Sequence, residues 1–463
     1  ISGDLDVNDG TIKLDGNYPV GTNNVALGDA ALDSLTSGQR NVAVGTDALT
    51  AVTSGQRNTA VGYIALTNAT GSYNAAFGEQ ALQGTTTGQY NTAIGTAAAA
   101  NNTEGSNNTA VGASALLNNT TASENTAVGY QAAYSITGSQ YNTAIGRGAL
   151  YSHTTGNGGN VAVGYDANRS LTTGYNNVSV GVNAAYAMTT GLYNVALGAN
   201  ALYANTTASY NSAFGYLALS ANTTGANNVA VGGLSLDANT TGDQNVAVGT
   251  SALGALTAGD KNVAIGNSTL SQFNVTDGSE TFNTAVGYAA GGAVTTGIQN
   301  TLIGGLAGDA LTDADKNVAV GRSALTSDTL GSMSTAIGYS ALDSQNFTSA
   351  TNSRNTAVGH TAGLSSTTAV DNTLIGEQAG YYITTGSQNT ILGRFSGNQG
   401  GLDIRTSSNN IVLSDGGGNP RLAYVSTSKS WQLPYNGDTD TGRGGAPKIN
   451  MSSGATAYDA SIQ

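Results

Sequence analysis

The chain of 463 residues contains 65 Gly, 9% charged residues and no Cys, and it carries a net charge of −13. This acidity excludes nucleic acid and anionic membrane surfaces as partners, because Lys and Arg supply most of the affinity for phosphate groups. No apolar stretch is long enough to cross a bilayer, so membrane insertion is not expected. Without Cys, the fold uses neither disulfides nor thiolate metal sites.

Residues 1–23 form the first predicted element, an N-terminal β cap or hairpin. Asp9-Gly10 is a dipeptide typical of tight hairpin turns. Apolar residues alternate with polar ones on both sides of it, at Leu5, Val7, Ile12 and Leu14. We expect this hairpin to cover the open edge of the first repeat and to protect that edge from pairing with other chains.

Residues 24–414 form a repeat array. Its repeated phrase is Asn, then Thr or Val, usually Ala, a branched or aromatic residue, and Gly, and most copies are seventeen residues apart. The phrase Asn stands at 24, 41, 58, 74, 91, 108, 125, 142, 160, 177, 194, 211, 228, 245, 262, 283, 300, 317, 355, 372, 389 and 410, and Ser334 replaces it once. We call the residues from one phrase Asn to the next a coil and count positions from that Asn as position 1.

Such a period predicts an all-β fold, a parallel β-roll or β-solenoid of about 23 coils, each burying its apolar side against its neighbours. At a strand spacing of about 4.8 Å the array would be a rod on the order of 110 Å long. We expect the stacked phrase residues to be structural, with Asn side chains hydrogen-bonded in a ladder. Representative members of this ladder are Asn41, Asn58, Asn125, Gly45, Gly62 and Gly129.

The phrase predicts a short β-strand in which positions 2 and 4 share one face, and positions 3 and 5 share the other. The first face carries branched residues such as Val42 and Val44, and we expect it to form the core. The second face carries Ala and Gly, as in Ala43 and Gly45, and we expect it to admit another sheet or chain at close range.

A second apolar element follows at positions 8 and 9, as in Ala48 and Leu49. We predict that it forms a second short strand, so that each coil has two strands and two turns. The turn at Thr86-Thr87-Gly88 is representative, and its Gly is expected to adopt a positive φ.

Two positions beside the phrase vary between Tyr and cations. The residue before the next phrase Asn, which is position 17 in most coils, is Tyr73 or Arg57, for example, and position 6 holds Tyr63 or Arg147. We expect these side chains to lie at turns, partly in solvent, with Tyr packed on Tyr between coils. The alternative role of such aromatic rows is a grip on sugars.

Three coils are lengthened to twenty-one residues, beginning at Asn262, Ser334 and Asn389. Insertions in a solenoid emerge as loops on one edge, which makes them candidates for specific contact with a partner. The candidate contact residues are Phe273, Asp277, Glu280, Gln345, Phe347, Asp403 and Arg405. Plain tolerated insertion is the alternative.

Residues 415–463 contain three of the four Pro and the only Trp, which predicts a separate non-repeat unit. This unit would be a cap, a clasp between chains or a linker. Trp431 is a further candidate contact residue, together with Tyr424 and Tyr435 in a binding tip. A small apolar core around the same rings is the preferred interpretation.

The phrase NTAVG at 125–129 resembles the head repeats of trimeric autotransporter adhesins. The longer form NTAVGYIAL at 58–66 is more similar to repeats of phage tail fibres and of bacterial surface proteins with a tail-fibre domain. The passage at 410–421 resembles the one after which such fibres carry an intramolecular chaperone. The resemblance implies a homotrimeric β-roll. The period is longer than that of adhesin heads, and no self-cleaving Ser and Lys match before Gln463, so we expect the chaperone to be removed or never present.

Residues that carry chemistry are sparse. The only His are His153 and His360, and neither lies in a metal-ligand or nucleophile pattern. We therefore expect no enzyme activity, no cofactor and no metal site.

The expected function is a structural and adhesive fibre, a rigid extracellular rod for attachment to a host or surface. Its expected partners are itself, as a homotrimer, and a host-cell surface polysaccharide or protein receptor. A phage tail fibre on the virion is the first interpretation, and a bacterial cell-surface adhesin or filament subunit is the alternative. An ice-binding solenoid is less favoured, because Thr at position 2 alternates irregularly with Val.

Overall fold

The computed structural model describes residues 12–13 and 22–432. The chain divides into two compact units, unit 1 at 1–244 and unit 2 at 245–463. Among the described residues there is no helix, and short β-strands alternate with bends and turns. The predicted hairpin turn Asp9-Gly10 and the ring of Tyr435 lie outside the described residues.

Unit 1 has one three-residue strand in each coil, at positions 2–4. Its strands are β1 Ile12–Lys13, β2 Val25–Leu27, β3 Val42–Val44, β4 Thr59–Val61, β5 Ala75–Phe77, β6 Thr92–Ile94, β7 Thr109–Val111, β8 Thr126–Val128, β9 Thr143–Ile145, β10 Val161–Val163, β11 Val178–Val180, β12 Val195–Leu197, β13 Ser212–Phe214 and β14 Val229–Val231. From β2 to β14 each strand pairs in parallel with the next, with equal positions opposite each other. The backbone of β1 pairs antiparallel with β2.

Unit 2 continues the same pattern and then departs from it. Its strands are β15 Val246–Val248, β16 Val263–Ile265, β17 Thr284–Val286, β18 Thr301–Ile303, β19 Val318–Val320, β20 Gly331–Ser332, β21 Thr335–Ile337, β22 Thr351–Asn352, β23 Thr356–Val358, β24 Thr373–Ile375, β25 Thr390–Leu392, β26 Asn398–Gln399, β27 Leu402–Asp403, β28 Ile411–Ser414, β29 Pro420–Val425 and β30 Ser430–Gln432. The phrase strands pair in parallel. The pair β20–β22 is a small separate parallel sheet, β26–β27 is an antiparallel hairpin, and β28–β29–β30 is an antiparallel meander.

The predicted all-β parallel β-solenoid of about 23 turns is thereby confirmed. The prediction for the two faces of its strands is wrong. Ala43 at position 3 is fully buried, whereas Val42 and Val44 on either side are half-exposed. Position 3 therefore points into the coil, and the branched residues of positions 2 and 4 point outward.

The reason is the narrow interior of a seventeen-residue coil, in which positions 3, 9 and 12 share the space and position 3 lies against position 9. Most coils place Ala at position 3 and Leu at position 9. Leu302 and Leu374 replace that Ala, and position 9 of the same coils is Gly308 or Gly380. A Cβ on Gly308 would lie 2.8 Å from Cδ2 of Leu302. A larger residue at one position is thus matched by a smaller one at the other, as close packing requires.

Two further predictions about the coil are corrected. Positions 8 and 9 form no second strand; Leu49 has a φ of 53°, and its N–H donates to the Ala65 carbonyl of the next coil at 3.1 Å. The turn residue Gly88 has no positive φ. It is Gly because a Cβ there would lie 2.5 Å from the carbonyl oxygen of Gly105 on the next coil.

Candidate binding sites

The phrase Asn residues form a hydrogen-bonded ladder inside each unit. In the fully buried Asn177, Oδ1 accepts the backbone N–H of Asn194 at 2.9 Å, and Nδ2 donates to the carbonyl oxygen of Gly191 at 2.8 Å. The ladder members singled out from the sequence occupy this environment, or the close backbone contacts beside it: Asn41, Asn58, Asn125, Gly45, Gly62 and Gly129. These residues satisfy one another inside the fold and present nothing to a ligand.

A second buried row runs through position 12 and holds polar residues in several coils. Nδ2 of Asn239 donates to Oδ1 of Asn222 at 3.0 Å, for example. His153 occupies the same position, fully buried, with its Nε2 2.7 Å from Oγ of Ser139. Burial lowers the pKa of His153 to about 4, because the charged ring loses its solvation. His153 is therefore a neutral core residue at pH 7.

Because His153 is buried in its neutral form, we expect the free energy of unfolding of unit 1 to decrease in acid. Since its folded pKa of about 4 lies below the ordinary value of 6.5, protonation favours the unfolded chain. Above pH 6.5 the free energy of unfolding does not depend on the titration of this group, and we expect it to decrease by about 3 kcal/mol as the pH falls to 4. Urea unfolding of wild type and His153→Met at several pH values checks this, because Met188 fills the same position two coils later. Equal pH slopes in the two proteins would contradict it.

Three predicted contact residues lie in the interior. Phe273 and Gln345 are fully buried, and Phe347 is 6% exposed. The first two occupy position 12, where a side chain points into the coil, and the ring of Phe347 also faces inward. Their predicted contact with a partner is therefore corrected: these side chains support the lengthened coils from within.

Gln345 repairs the ladder in the coil that has Ser334 in place of Asn. Its Nε2 donates to Oγ of Ser334 at 3.0 Å, and its Oε1 accepts Nδ2 of Asn355 at 2.8 Å. The same Nε2 also donates to Oδ2 of Asp328 at 2.6 Å. Burial raises the pKa of Asp328, and the hydrogen bond from Gln345 opposes that shift. This buried polar network therefore has a structural role.

The exposed residues of the first long coil pair locally. Glu280 forms an ion pair with Lys261. Asp277 accepts the N–H of Ser279 at 3.1 Å, and hydrogen bonds from the side chain and backbone of Ser279 lower the pKa of Asp277. Both carboxylates are solvated at the surface, where such pairs contribute little. They do not converge on a pocket with the residues of the other long coils.

The third long coil differs, because β26 and β27 form a hairpin within it. Asp403 ends β27, and its Oδ2 lies 2.8 Å from Nη2 of Arg405, which follows the hairpin. The inner side of the coil, with Arg394, helps to enclose a polar cleft of about 400 Å³ against Tyr381 and Tyr382 of the preceding coil. These cleft residues were not predicted from the sequence. Their signal was a Tyr-Tyr pair directly before a lengthened coil.

The last candidate, Trp431, lies half-buried on β30 of the meander. Its ring meets that of Tyr424 edge-on, with centroids 5.6 Å apart. This contact agrees with a small aromatic cluster at the end of the array. It belongs to unit 2 and to the same meander that follows the cleft.

The outward position 4 of the strands forms a row of exposed apolar side chains in each unit. Their exposed fractions lie between 36% and 44%. In unit 1 the row contains Leu27, Phe77, Ile94, Ile145, Val180, Leu197, Phe214 and Val231, and in unit 2 it contains Ile265, Ile303, Ile337, Ile375, Leu392 and Leu413. Contiguous apolar surface of this kind usually marks an interaction face.

Aromatic and cationic side chains stack along the arcs between strands. The rings of Tyr73 and Tyr90 are parallel, with centroids 4.7 Å apart, and the Arg57 guanidinium lies 5.1 Å from the Tyr73 centroid. Tyr and Arg alternate at these positions because either one stacks on the ring of the next coil.

Over residues 12–13 and 22–432 no three Asp, Glu or His side chains are grouped to hold a metal ion, and no membrane-spanning helix occurs. No family model and no curated protein matches the chain. The sequence and the structure therefore establish a β-solenoid repeat protein with a period of about seventeen residues.

Proposed function

We propose that the chain is a structural and adhesive fibre protein, a homotrimer that acts outside the cell in attachment to a host or surface. A phage tail fibre on the virion is the setting we favour, and a bacterial surface adhesin or filament subunit is the alternative. The proposed receptor is a surface polysaccharide or protein. No catalytic step is part of this proposal.

The observation that supports it is the outward apolar row at position 4. Side chains such as Ile94 and Ile375 are 44% and 41% exposed within a regular stack of coils. Exposure of such an apolar row to water is unfavourable in an isolated chain, and the row can be buried against the same row on other copies. The bare Ala and Gly face, expected from the sequence to meet another chain, is inside the coil and does not support the trimer.

We expect light scattering to give the mass of three chains, and the particle to resist dodecyl sulfate without boiling. Lysine at position 4 of three successive coils, in Ile94→Lys with the half-exposed Val111→Lys and Val128→Lys, should convert it to monomers, because buried unpaired charges are costly. The matched control adds lysines at position 17, in Tyr90→Lys, Asn107→Lys and Tyr141→Lys, where other coils carry Arg or Lys. A monomeric wild type, or dissociation by both variants, would contradict the role of the row.

Ice binding is a second candidate, because position 2 also points outward. Thr92, Thr109, Thr126 and Thr143 stand there in four successive coils, and Val follows in the next three. A measurement of thermal hysteresis discriminates between the two functions. Hysteresis in a monomeric protein would replace the fibre proposal.

A further inference from the structure

A polar cleft lies where the regular coils of unit 2 end. Its volume of about 400 Å³ is at the lower end of the range for small-molecule sites. We call it the Tyr382 cleft, and its lining side chains are Gln378, Tyr381, Tyr382, Arg394, Ser396 and Gln399. Gly417, in the loop between β28 and β29, closes one side. The cleft is therefore specific to this end of the array and does not recur from coil to coil.

The aromatic part of the cleft is a pair of tyrosine rings, of which Tyr381 is half-buried and Tyr382 is exposed. Tyr134 occupies position 10 of its coil, and the ring of Tyr151 in the next coil stacks on it at 4.9 Å. Tyr381 also occupies position 10, but the next coil places Asn398 of the hairpin there. Its ring contact is edge-on with Tyr382, at 4.8 Å and 74°, and Tyr382 is 51% exposed. The corner between the rings offers apolar ring faces to a ligand.

The polar part of the cleft consists of the Arg394 guanidinium, which only donates, the amides of Gln378 and Gln399, which donate and accept, and the hydroxyl of Ser396. Nη2 of Arg394 donates to Oε1 of Gln378 at 3.1 Å, which leaves the Gln378 amide nitrogen directed elsewhere. Nε2 of Gln399 donates to the Gly417 carbonyl at 2.9 Å and holds the loop in place. The remaining N–H groups of Arg394 and Gln378 and the hydroxyl of Ser396 suit ligand hydroxyls.

The walls are fixed by backbone bonds, so the cleft is formed before a ligand binds. The N–H of Tyr382 donates to the Ser396 carbonyl, and the N–H of Gly380 donates to the Phe395 carbonyl, both at 2.8 Å. Phe395 is fully buried beneath them. A preformed site reduces the entropic cost of binding.

The charges around the cleft are already balanced. Arg394 lies 3.7 Å from Glu377. Beside the closing loop, Nε of Arg421 donates to Asp415 at 2.9 Å. The negative charge of Glu377 would repel a carboxylate or phosphate in the cleft, whereas it would not repel a neutral polar ligand.

We propose that the Tyr382 cleft binds a neutral hexose unit, with the sugar ring on the tyrosine corner and its hydroxyls on Arg394, Gln378 and Ser396. The proposal rests on the proposed adhesive function and deepens it, because it makes a neutral surface polysaccharide the receptor.

The test is saturation-transfer NMR on the full chain with maltose, lactose and diacetylchitobiose as neutral probes, and glucuronic acid as the charged one. At least one neutral sugar is expected to bind wild type. Tyr382→Ala should weaken that binding at least tenfold, and Arg394→Gln should weaken it less, because the planar amide still donates. The matched control is Tyr216→Ala, since Tyr216 is 59% exposed in unit 1, far along the chain from the cleft.

Binding of none of the neutral sugars, binding of glucuronic acid alone, or an equal loss in Tyr216→Ala would each overturn the proposal. The oligomer and cell attachment are measured on the same variants. A trimeric Tyr382→Ala protein that still attaches to cells would remove the cleft as receptor site and leave the fibre function standing. If the protein binds sugar but forms no trimers and does not attach to cells, the cleft proposal stands and the fibre function is refuted.

Discussion

Gly304→Ala is expected to destabilise unit 2 by at least about 3 kcal/mol. Gly304 is the phrase Gly of its coil, with a φ of 135°, a conformation whose cost for other residues is about 1–3 kcal/mol. A Cβ there would also lie 2.5 Å from the carbonyl oxygen of Gly321 on the next coil. The neighbouring backbone is held by coil-to-coil hydrogen bonds and cannot move aside cheaply. Urea unfolding followed by far-UV circular dichroism measures the loss.

The control is the next residue in the chain. A Cβ on Gly305 would meet no atom within 4 Å, the φ of Gly305 is not positive, and other coils carry Thr46 or Tyr63 at that position. Gly305→Ala should change the unfolding free energy by no more than about 0.5 kcal/mol. Similar losses in the two variants would show that backbone contact between phrase glycines does not limit the stack.

Asn177→Ala is expected to cost about 3–5 kcal/mol in unit 1. The substitution leaves the N–H of Asn194 and the carbonyl of Gly191 without their buried partners, at about 1–3 kcal/mol each, and opens a cavity. Oδ1 of Asn160 also loses a donor at 3.2 Å. Equilibrium unfolding and amide hydrogen exchange measure the effect, which should centre on the coils beside residue 177.

Asn101→Ala provides the comparison, because Asn101 is exposed and its Nδ2 reaches only Oδ1 of Asn118 at the surface. We expect a change within about 0.5 kcal/mol. If both alanine variants are equally stable, the buried Asn ladder contributes no net stability, and apolar packing alone holds the coils together.

The period predicted the fold because only stacked coils place identical residues together every seventeen positions. The orientation of the strand was not predicted, because branched residues usually mark the core, whereas here the strand contributes mostly a single Ala at position 3 and the larger interior side chains come from positions 9 and 12. The sequence did contain a signal for the orientation, because positions 3 and 9 vary together in size. They are Ala43 and Leu49 in one coil, and Leu302 and Gly308 in another. Two positions that trade volume share one interior.

The candidate site was less accessible to sequence reasoning. Length alone indicated the insertions, but it does not say which insertion residues point inward, and Phe273 and Gln345 do. The cleft exists because no second ring stacks on Tyr381. The same position of the next coil holds Asn398 and not another Tyr. Such a site requires the register of neighbouring coils, which the hairpin interrupts.

The coil also sets how this gene can change in length. Because each coil bonds mainly to its two neighbours, the duplication or loss of a whole coil preserves every ladder. Single-residue changes must be absorbed within one coil. The short coil at 58–73 and the long one at 142–159 keep the usual spacing through position 12 and differ in length only in the arc before the next phrase. The spacing of the first half of each coil is therefore fixed by its stacking on the neighbouring coils, and insertions and deletions are tolerated in the second half.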